Sequence, residues 1–201
     1  MCNAYKIGPD AGRQQSELVA RVVALLPSRE MLLIRKTDTG PVVLPSGEAK
    51  MMRWGFYRNF NNAINNTRSD KLTDGMWKEA FEQRHCLIPM SIFYEWSPGV
   101  GGKNKQAYEF RDVDGGYLWI AGVWETHPDF GPCYSMLTTD AGPAMSPIHE
   151  RMPAVLRPEE ANQYLAGNIN PPRPYDGPIL VNPCPSPLVK PKPPDAQGEL
   201  F

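Results

Sequence analysis

Cys2 is the residue with the most unusual chemical potential in this chain. Removal of Met1, expected where the second residue is small, would leave a cysteine whose free α-amine and thiol share one Cα. An α-amine titrates at about 7.7–8.0 against about 10.4 for lysine, so roughly a tenth of it is neutral at pH 7. Such an amine can attack an aldehyde to form an imine. The neighbouring sulfur can then add to the imine carbon and close a five-membered thiazolidine, both nucleophiles acting at intramolecular effective concentration. Against this stands the plain alternative that a small second residue is common and carries no chemistry.

Three further groups could serve that cysteine. In SIFYEWSPG, Glu95 lies between Tyr94 and Trp96 within an apolar run, where it is either an exposed strand carboxylate or a buried one able to donate a proton near neutrality. In SPIHERMPAVL, His149 offers an imidazole, the side chain suited to proton exchange at physiological pH. Arg151 falls on the same face of an extended segment, where it could grip a phosphate or play a structural part. The four asparagines 61, 62, 65 and 66 form helices and strands poorly and offer both donors and acceptors for holding a reactive group, or simply make a polar loop.

Residues 50–69 carry Lys50, Arg53, Arg58 and Arg68 without an acidic residue, interleaved with Trp54, Phe56, Tyr57 and Phe60. Aromatic faces stack on unpaired bases and arginines hold phosphates, the combination a single-strand groove needs. A strand and loop with core aromatics and solvated arginines is the alternative. Cysteines 2, 86, 133 and 184 and histidines 85, 127 and 149 form no CxxC, HxH or HExxH cluster, which argues against zinc. Cys86 and Cys133 read as small buried hydrophobes. No GxGxxG, Walker or GxSxG motif is present, against dinucleotide enzymes, NTPases and α/β-hydrolases, and no cofactor is expected.

The elements that must position these residues follow from periodicity. Ser16 precedes Leu18, Val19, Val22, Val23, Leu25 and Leu26 at helical spacing, and Pro27 closes the run, predicting a helix over 16–26. Strands are predicted at 31–35, 42–44, 51–54, 86–88, 92–96, 107–111, 117–124 and 134–138, separated by turn-forming TDTG, PSGE, SPGVGGKNK and DVDGG segments. Thr73 or Asp74 is placed to cap a helix whose Met76, Trp77, Ala80 and Phe81 share a face, and another helix starts at Pro158 and ends at Gly167. Strands do not alternate regularly with helices. The expected class is α+β, a mainly antiparallel curved sheet or open β-barrel flanked by two to three helices.

With 201 residues, 41% hydrophobic and 21% charged, the chain suits one globular domain. No uncharged apolar run approaches the roughly 20 residues of a membrane helix, and the opening residues hold no secretory core, so a cytoplasmic protein with reduced thiols is expected. A balance of 21 basic and 22 acidic side chains, net −1, confines any attraction for nucleic acid to a local patch. The 22 prolines are about twice ordinary usage, and PPRPYDG and PSPLVKPKPP suit extended surface conformations.

In order along the chain, MCN, MRWGF, NTRSD, RHCLIPMSIFYEW, AGVWE, LTTDA and IHERMPAVL resemble the SRAP family of abasic-site processing proteins. The resemblance spans residues 2–190 as one domain, leaving 191–201 as an extended tail. It implies a monomeric DNA-damage sensor, nucleoid-associated if bacterial, that captures the ring-opened sugar of an abasic site in single-stranded DNA as a thiazolidine, with autocatalytic removal of Met1. It implies Cys2 as crosslinking nucleophile, Glu95 as catalytic glutamate and His149 as the residue handling the sugar-ring oxygen. The family pattern N-A-R-A-E maps onto residues 66–70, making Asn66 the candidate that positions the Cys2 amine and Arg68 a phosphate contact, with Asn62 and Asn65 as alternatives. Arg53, Trp54, Phe56, Arg58, Phe60 and Arg151 complete the expected DNA surface. The family's MCGR opening is MCNA here, so an arginine is missing, with Lys6 a substitute; the paired tryptophans after Trp54-Gly55 are also missing, leaving Phe56, Tyr57 or Phe60 to splay bases. A thiol amidohydrolase or peptidase, and a noncatalytic single-strand-binding module, are the competing functional classes.

Overall fold

The computed structural model describes residues 2–189, apart from positions 13, 15, 74, 100–104 and 169–170. Met1 and the tail expected at 191–201 lie outside the described residues. Five strands close a barrel. β3 (Thr39–Val43) pairs with β4 (Ala49–Trp54) and with β8 (His85–Met90), and β8 pairs with β11 (Leu118–His127). β11 turns into β12 (Gly131–Asp140), which returns to β4 in parallel with Tyr134 opposite Trp54. The expected class is observed, with the barrel closed by that parallel pair.

A second, antiparallel sheet has the order β15 (Ile179–Cys184), β10 (Ala107–Asp112), β9 (Ile92–Trp96), β1 (Ala4–Ile7), β2 (Leu32–Arg35). β15 reads as alternately half-buried and exposed over its first residues, and it is an edge strand, so Pro183 there withholds no ladder donor from a further neighbour. A hairpin of β5 (Phe56–Arg58) and β6 (Asn61–Ile64) leads into β7 (Asn66–Arg68), which lies parallel to β12.

α1 (Glu17–Ala24) occupies the predicted span, with Ser16 Oγ accepting from Val19 N at 3.2 Å and Val19 and Val22 buried. α3 (Pro158–Leu165) starts at the predicted proline, where Glu160 Oε2 accepts from the Arg157 N–H at 2.8 Å, and Gly167 ends it at φ +75°. The expected capping of the middle helix differs: a 3₁₀ turn at Gly75–Trp77 leads into α2 (Lys78–Gln83), and Trp77 stands at the N-cap without a side-chain cap. Asp74 lies outside the described residues. The Trp77 ring packs 5.5 Å from that of Phe56, which ties this turn to the β5–β6 hairpin.

The barrel interior centres on an aromatic cluster. Trp54 is fully buried, edge-on to Tyr5 at 5.2 Å and stacked with Tyr134 at 6.4 Å, and the Tyr5 and Tyr134 hydroxyls share a 2.6 Å hydrogen bond. Gly40 on β3 makes room for that bond: a Cβ there would come within 2.7 Å of Tyr134 Oη and 2.8 Å of Ile34 Cδ1. Gly40→Ala is expected to lower stability by about 1–3 kcal/mol through overpacking. An unchanged guanidinium midpoint for that variant would refute the tight fit.

Candidate functional site

Cys2 enters the site because β1 runs antiparallel to β9, with Tyr5 opposite Phe93 and Lys6 opposite Ile92. Continuing that register toward the N-terminus carries residues 2 and 3 along the end of β9 that bears Glu95. Cys2 is fully buried and Glu95 is 3% exposed. The Cys2 thiol donates to the Ala4 carbonyl at 3.2 Å. Burial, and next the negative charge of Glu95, push that thiol up to about 12, so sulfur is held as S–H. The Glu95 Oε1 accepts from the Trp96 N–H at 3.2 Å, which orients the carboxylate from its own strand.

The Cys2 carbonyl is held by two side chains. It accepts from Asn66 Nδ2 at 2.8 Å and from Asn65 Nδ2 at 3.2 Å. The buried Oδ1 of Asn66 has no hydrogen-bond partner among the described residues. Asn62 does not reach Cys2; its main-chain oxygen instead accepts from Arg53 Nη2 at 2.7 Å. His149 precedes β13 (Arg151–Pro153), and its Nδ1 accepts from the Arg151 N–H at 2.9 Å. An accepting Nδ1 puts the neutral ring's proton on Nε2.

Two surface clefts of about 500 Å³ each meet at this point. One is walled by Glu95, Trp96, Pro98, Lys105 and Leu188, the other by Asn61, Asn65, Asn66, Arg68 and Arg151, and both include Asn3 and His149. The structure therefore gathers Cys2, Asn66, Glu95 and His149 into one neighbourhood. Asn65 was open as an alternative to Asn66, and both reach the cysteine. Asn3 carried no signal beyond its place after Cys2.

The expected binding surface needs correction. Trp54 and Phe56 are fully buried, in the barrel cluster and against Trp77, and cannot stack on a base. Their burial follows from the barrel's need for large apolar rings, which outweighs the basic character of the surrounding sequence. Phe60, by contrast, is 79% exposed at the turn of the β5–β6 hairpin. The 50–69 stretch lacks acids in sequence, yet the fold supplies them. Arg58 makes a bidentate pair with Glu125 at 2.6 and 2.8 Å, and Arg68 one with Asp70 at 3.0 and 2.8 Å. Arg151 is buried, bonded to Asp140 Oδ1 at 2.7 Å and to the Thr138 carbonyl at 2.5 Å, with Asp70 3.7 Å away. It is an internal strut, not the open phosphate contact expected from its sequence position. Arg53 is bonded to the Gly55 carbonyl and lies over Phe130, 4.9 Å from the ring centre. Lys6 sits 5.9 Å from the Tyr94 ring centre. The hydrogen bond from Arg68 holds the Asp70 carboxyl low, at about 2.

Among the described residues no group of three His, Cys, Asp or Glu is placed to hold a metal ion. Nor, among the described residues, is any helix long and apolar enough to cross a membrane.

Fold and site together define a class: a small-barrel protein with an enclosed cysteine beside its N-terminus, a carboxylate and an imidazole nearby, and two clefts converging on them. Solved structures share the fold. A Bordetella bronchiseptica protein superposes with a TM-score of 0.73 at 22% identity, covering 92% of this chain and 100% of that one. A Bacteroides thetaiotaomicron protein gives 0.68 at 21% identity, covering 90% and 91%. The sequence pattern of the SOS response associated peptidase family, SRAP, matches residues 3–190, and the chain belongs to that family. Curated relatives include the abasic site processing protein YMR114C of Saccharomyces cerevisiae, 29% identical over a 140-residue alignment that covers 62% of this chain and 36% of that protein. The abasic site processing protein YoaM of Bacillus subtilis is 27% identical over 57% of this chain and 55% of its own length. The abasic site processing protein HMCES of Xenopus tropicalis is 30% identical over 55% of this chain and 42% of its own length. The matches thus span about a third to a half of these relatives.

The burial pattern sets an order of thiol reactivity. In native protein at about pH 8, iodoacetamide should modify half-exposed Cys184 ahead of Cys2, Cys86 and Cys133, and unfolding should level the four rates. Glu95→Gln should lower the Cys2 thiol pKa and speed its alkylation. Mass-spectrometric mapping reads both, and native Cys2 reacting first would contradict the described enclosure.

Proposed function

We propose that this chain recognises abasic sites in single-stranded DNA and captures the ring-opened sugar covalently through Cys2 once Met1 has been removed. The observation that carries this reading is the Cys2 main chain, clamped through its carbonyl by Asn65 and Asn66 and enclosed beside Glu95 where the two clefts meet. Relatives named for abasic-site processing support the same substrate.

The chemistry follows from these positions. The sugar opens by breaking C1′–O4′, O4′ gaining a proton as the C1′ hydroxyl loses one; the Nε2–H of His149 is the donor assigned to O4′. The neutral Cys2 amine adds to the C1′ aldehyde, and the carbinolamine loses water to give the imine, with Glu95 carrying the proton to the departing hydroxyl. Sulfur then bonds to C1′ while its proton passes to nitrogen, closing the ring. One water is lost overall. Burial disfavours the thiolate of Cys2, so in this reading the amine opens the sequence. The same property weighs against a thiol amidohydrolase, which needs thiolate in the resting enzyme.

Incubating the full chain with uracil-containing single-stranded DNA treated with uracil-DNA glycosylase should yield a heat-stable band on a denaturing gel. Cys2→Ala should abolish it, and Glu95→Gln should slow its appearance with little change in DNA affinity. No band, or a band that survives in Cys2→Ala, would overturn the reading. Acyl-substrate turnover without DNA would favour the amidohydrolase, and intact binding by Cys2→Ala with no adduct from either protein the noncatalytic module.

The Arg68–Asp70 pair generates a second expectation. A phosphate entering the cleft must displace Asp70 from the Arg68 guanidinium, so Asp70→Asn should tighten DNA binding and steepen its salt dependence by about one phosphate contact. Weaker binding in that variant would place Asp70 in support of the site instead.

A further inference from the structure

Two side-chain amides converging on a single main-chain oxygen are more than is needed to satisfy a carbonyl, and the second of them, Asn65, is built into the barrel. Its own main-chain oxygen accepts from the buried indole N–H of Trp54 at 2.9 Å and from the Met136 N–H at 3.0 Å. Its Nδ2 then donates to the Cys2 carbonyl at 3.2 Å and approaches Asn3 Oδ1 at 3.5 Å. Because the anchoring bonds use the Asn65 backbone, the side chain is free of any duty to the barrel. What it touches is Cys2 and the residue after it.

We propose that Asn65 is a positioning residue for capture: together with Asn66 it clamps the Cys2 carbonyl, fixing the direction of the Cys2 nitrogen and favouring its uncharged form. This rests on the abasic-site reading above. The directional part is geometric. Cα of Cys2 carries four substituents, of which the carbonyl is pinned by two amides and the side chain by the thiol hydrogen bond to Ala4. With two substituents fixed on a chiral centre the third has no rotation left, so nitrogen and sulfur are presented in one arrangement. An unclamped terminal residue would have to lose that freedom at each encounter.

The electrostatic part has a definite sign. Both amides direct N–H, the positive end of their dipoles, at an oxygen two bonds from the bearer of the amine, which disfavours an ammonium there. Glu95 on β9 acts the other way. The remaining charged or titratable groups lining the clefts are Lys105, His149, Glu150, Arg68 and Arg151, and the two arginines face Asp70 and Asp140. Removing the Asn65 donor therefore raises the amine's pKa and loosens its aim.

The test uses the full chain with Met1 removed, checked by intact mass, and two variants, Asn65→Ala and the isosteric Asn65→Asp. Single-turnover capture of abasic single-stranded DNA at saturating DNA is followed across pH. Asn65→Ala should slow capture about tenfold through lost orientation, with DNA affinity held within about twofold. The midpoint of the rising limb should move up by about half a pH unit or more. Asn65→Asp, which faces the carbonyl with an acceptor, should do so more strongly, and it carries the test alone if the alanine variant does not fold. Glyoxylate, a small aldehyde that closes a thiazolidine with any terminal cysteine, reads the same amine without DNA. A shifted glyoxylate profile in a protein that never captures DNA would sink the abasic-site reading and keep the clamp. Wild-type capture with unchanged rate and pH profile in both variants, or a loss confined to DNA affinity, would overturn the clamp itself.

Discussion

The indole N–H of Trp54 ends on the main-chain oxygen of Asn65, and most of the site's geometry depends on that contact. Leaving a buried indole N–H unpaired costs about 1–3 kcal/mol. Here the partner lies in the break between β6 and β7, where the Asn65 side chain reaches the Cys2 carbonyl. A core requirement thus fixes a functional loop. Tyr5 and Tyr134 pack on two sides of the same indole, and Tyr5 belongs to β1, the strand that delivers Cys2. Cys2 and the amides that hold it are therefore referred to one buried ring.

Charge is arranged on the same economical plan. Arg58, Arg68 and Arg151 each face a carboxylate, so these three cations are compensated within the fold. The pairs differ in depth. Arg151 is enclosed and bonded to backbone as well as to Asp140, so parting it from its partners would strand a buried charge. Arg68 and Asp70 are both about half exposed, and an exposed pair is worth at most about 1 kcal/mol. Of the two, the Arg68–Asp70 pair is the cheaper to exchange for another anion, such as the phosphate of the proposed substrate.

Local signals carried the reading of sequence into structure where a side chain acts within its own element. Ser16 capping α1 and Pro158 opening α3 are of that kind, as are most strand cores. Elements made by partners escaped it. Residues 61–68 look like a loop because asparagine disfavours strands, yet β7 forms because β12 offers it a parallel edge. Alternation left the depth of Glu95 undecided because β9 lies between β1 and β10 and is buried on both faces nearly to its end. The same limit misplaced Trp54 and Phe56, whose ring partners Tyr5, Tyr134 and Trp77 come from other elements, and it hid the pairing of Arg58 with Glu125. That Asn65 and Asn66 both reach Cys2 was hidden for a geometric reason. Consecutive residues of a strand point to opposite faces, and only the bend before β7 frees Asn65 from that rule.

A thiol held protonated by burial looks like a handicap for a cysteine-based reaction, but it suits the order of steps in the proposed capture. A thiolate in the resting site would attack any passing electrophile, and it would compete with the amine for the aldehyde to give a hemithioacetal that reverts. Keeping sulfur as S–H leaves the first addition to nitrogen, and the thiol becomes useful once an imine stands beside it, because its proton has an acceptor in that nitrogen. The Coulombic pressure of Glu95 on sulfur serves the same end. In that reading, burial and a neighbouring carboxylate, both of which weaken cysteine as a general nucleophile, narrow it to an electrophile formed in place.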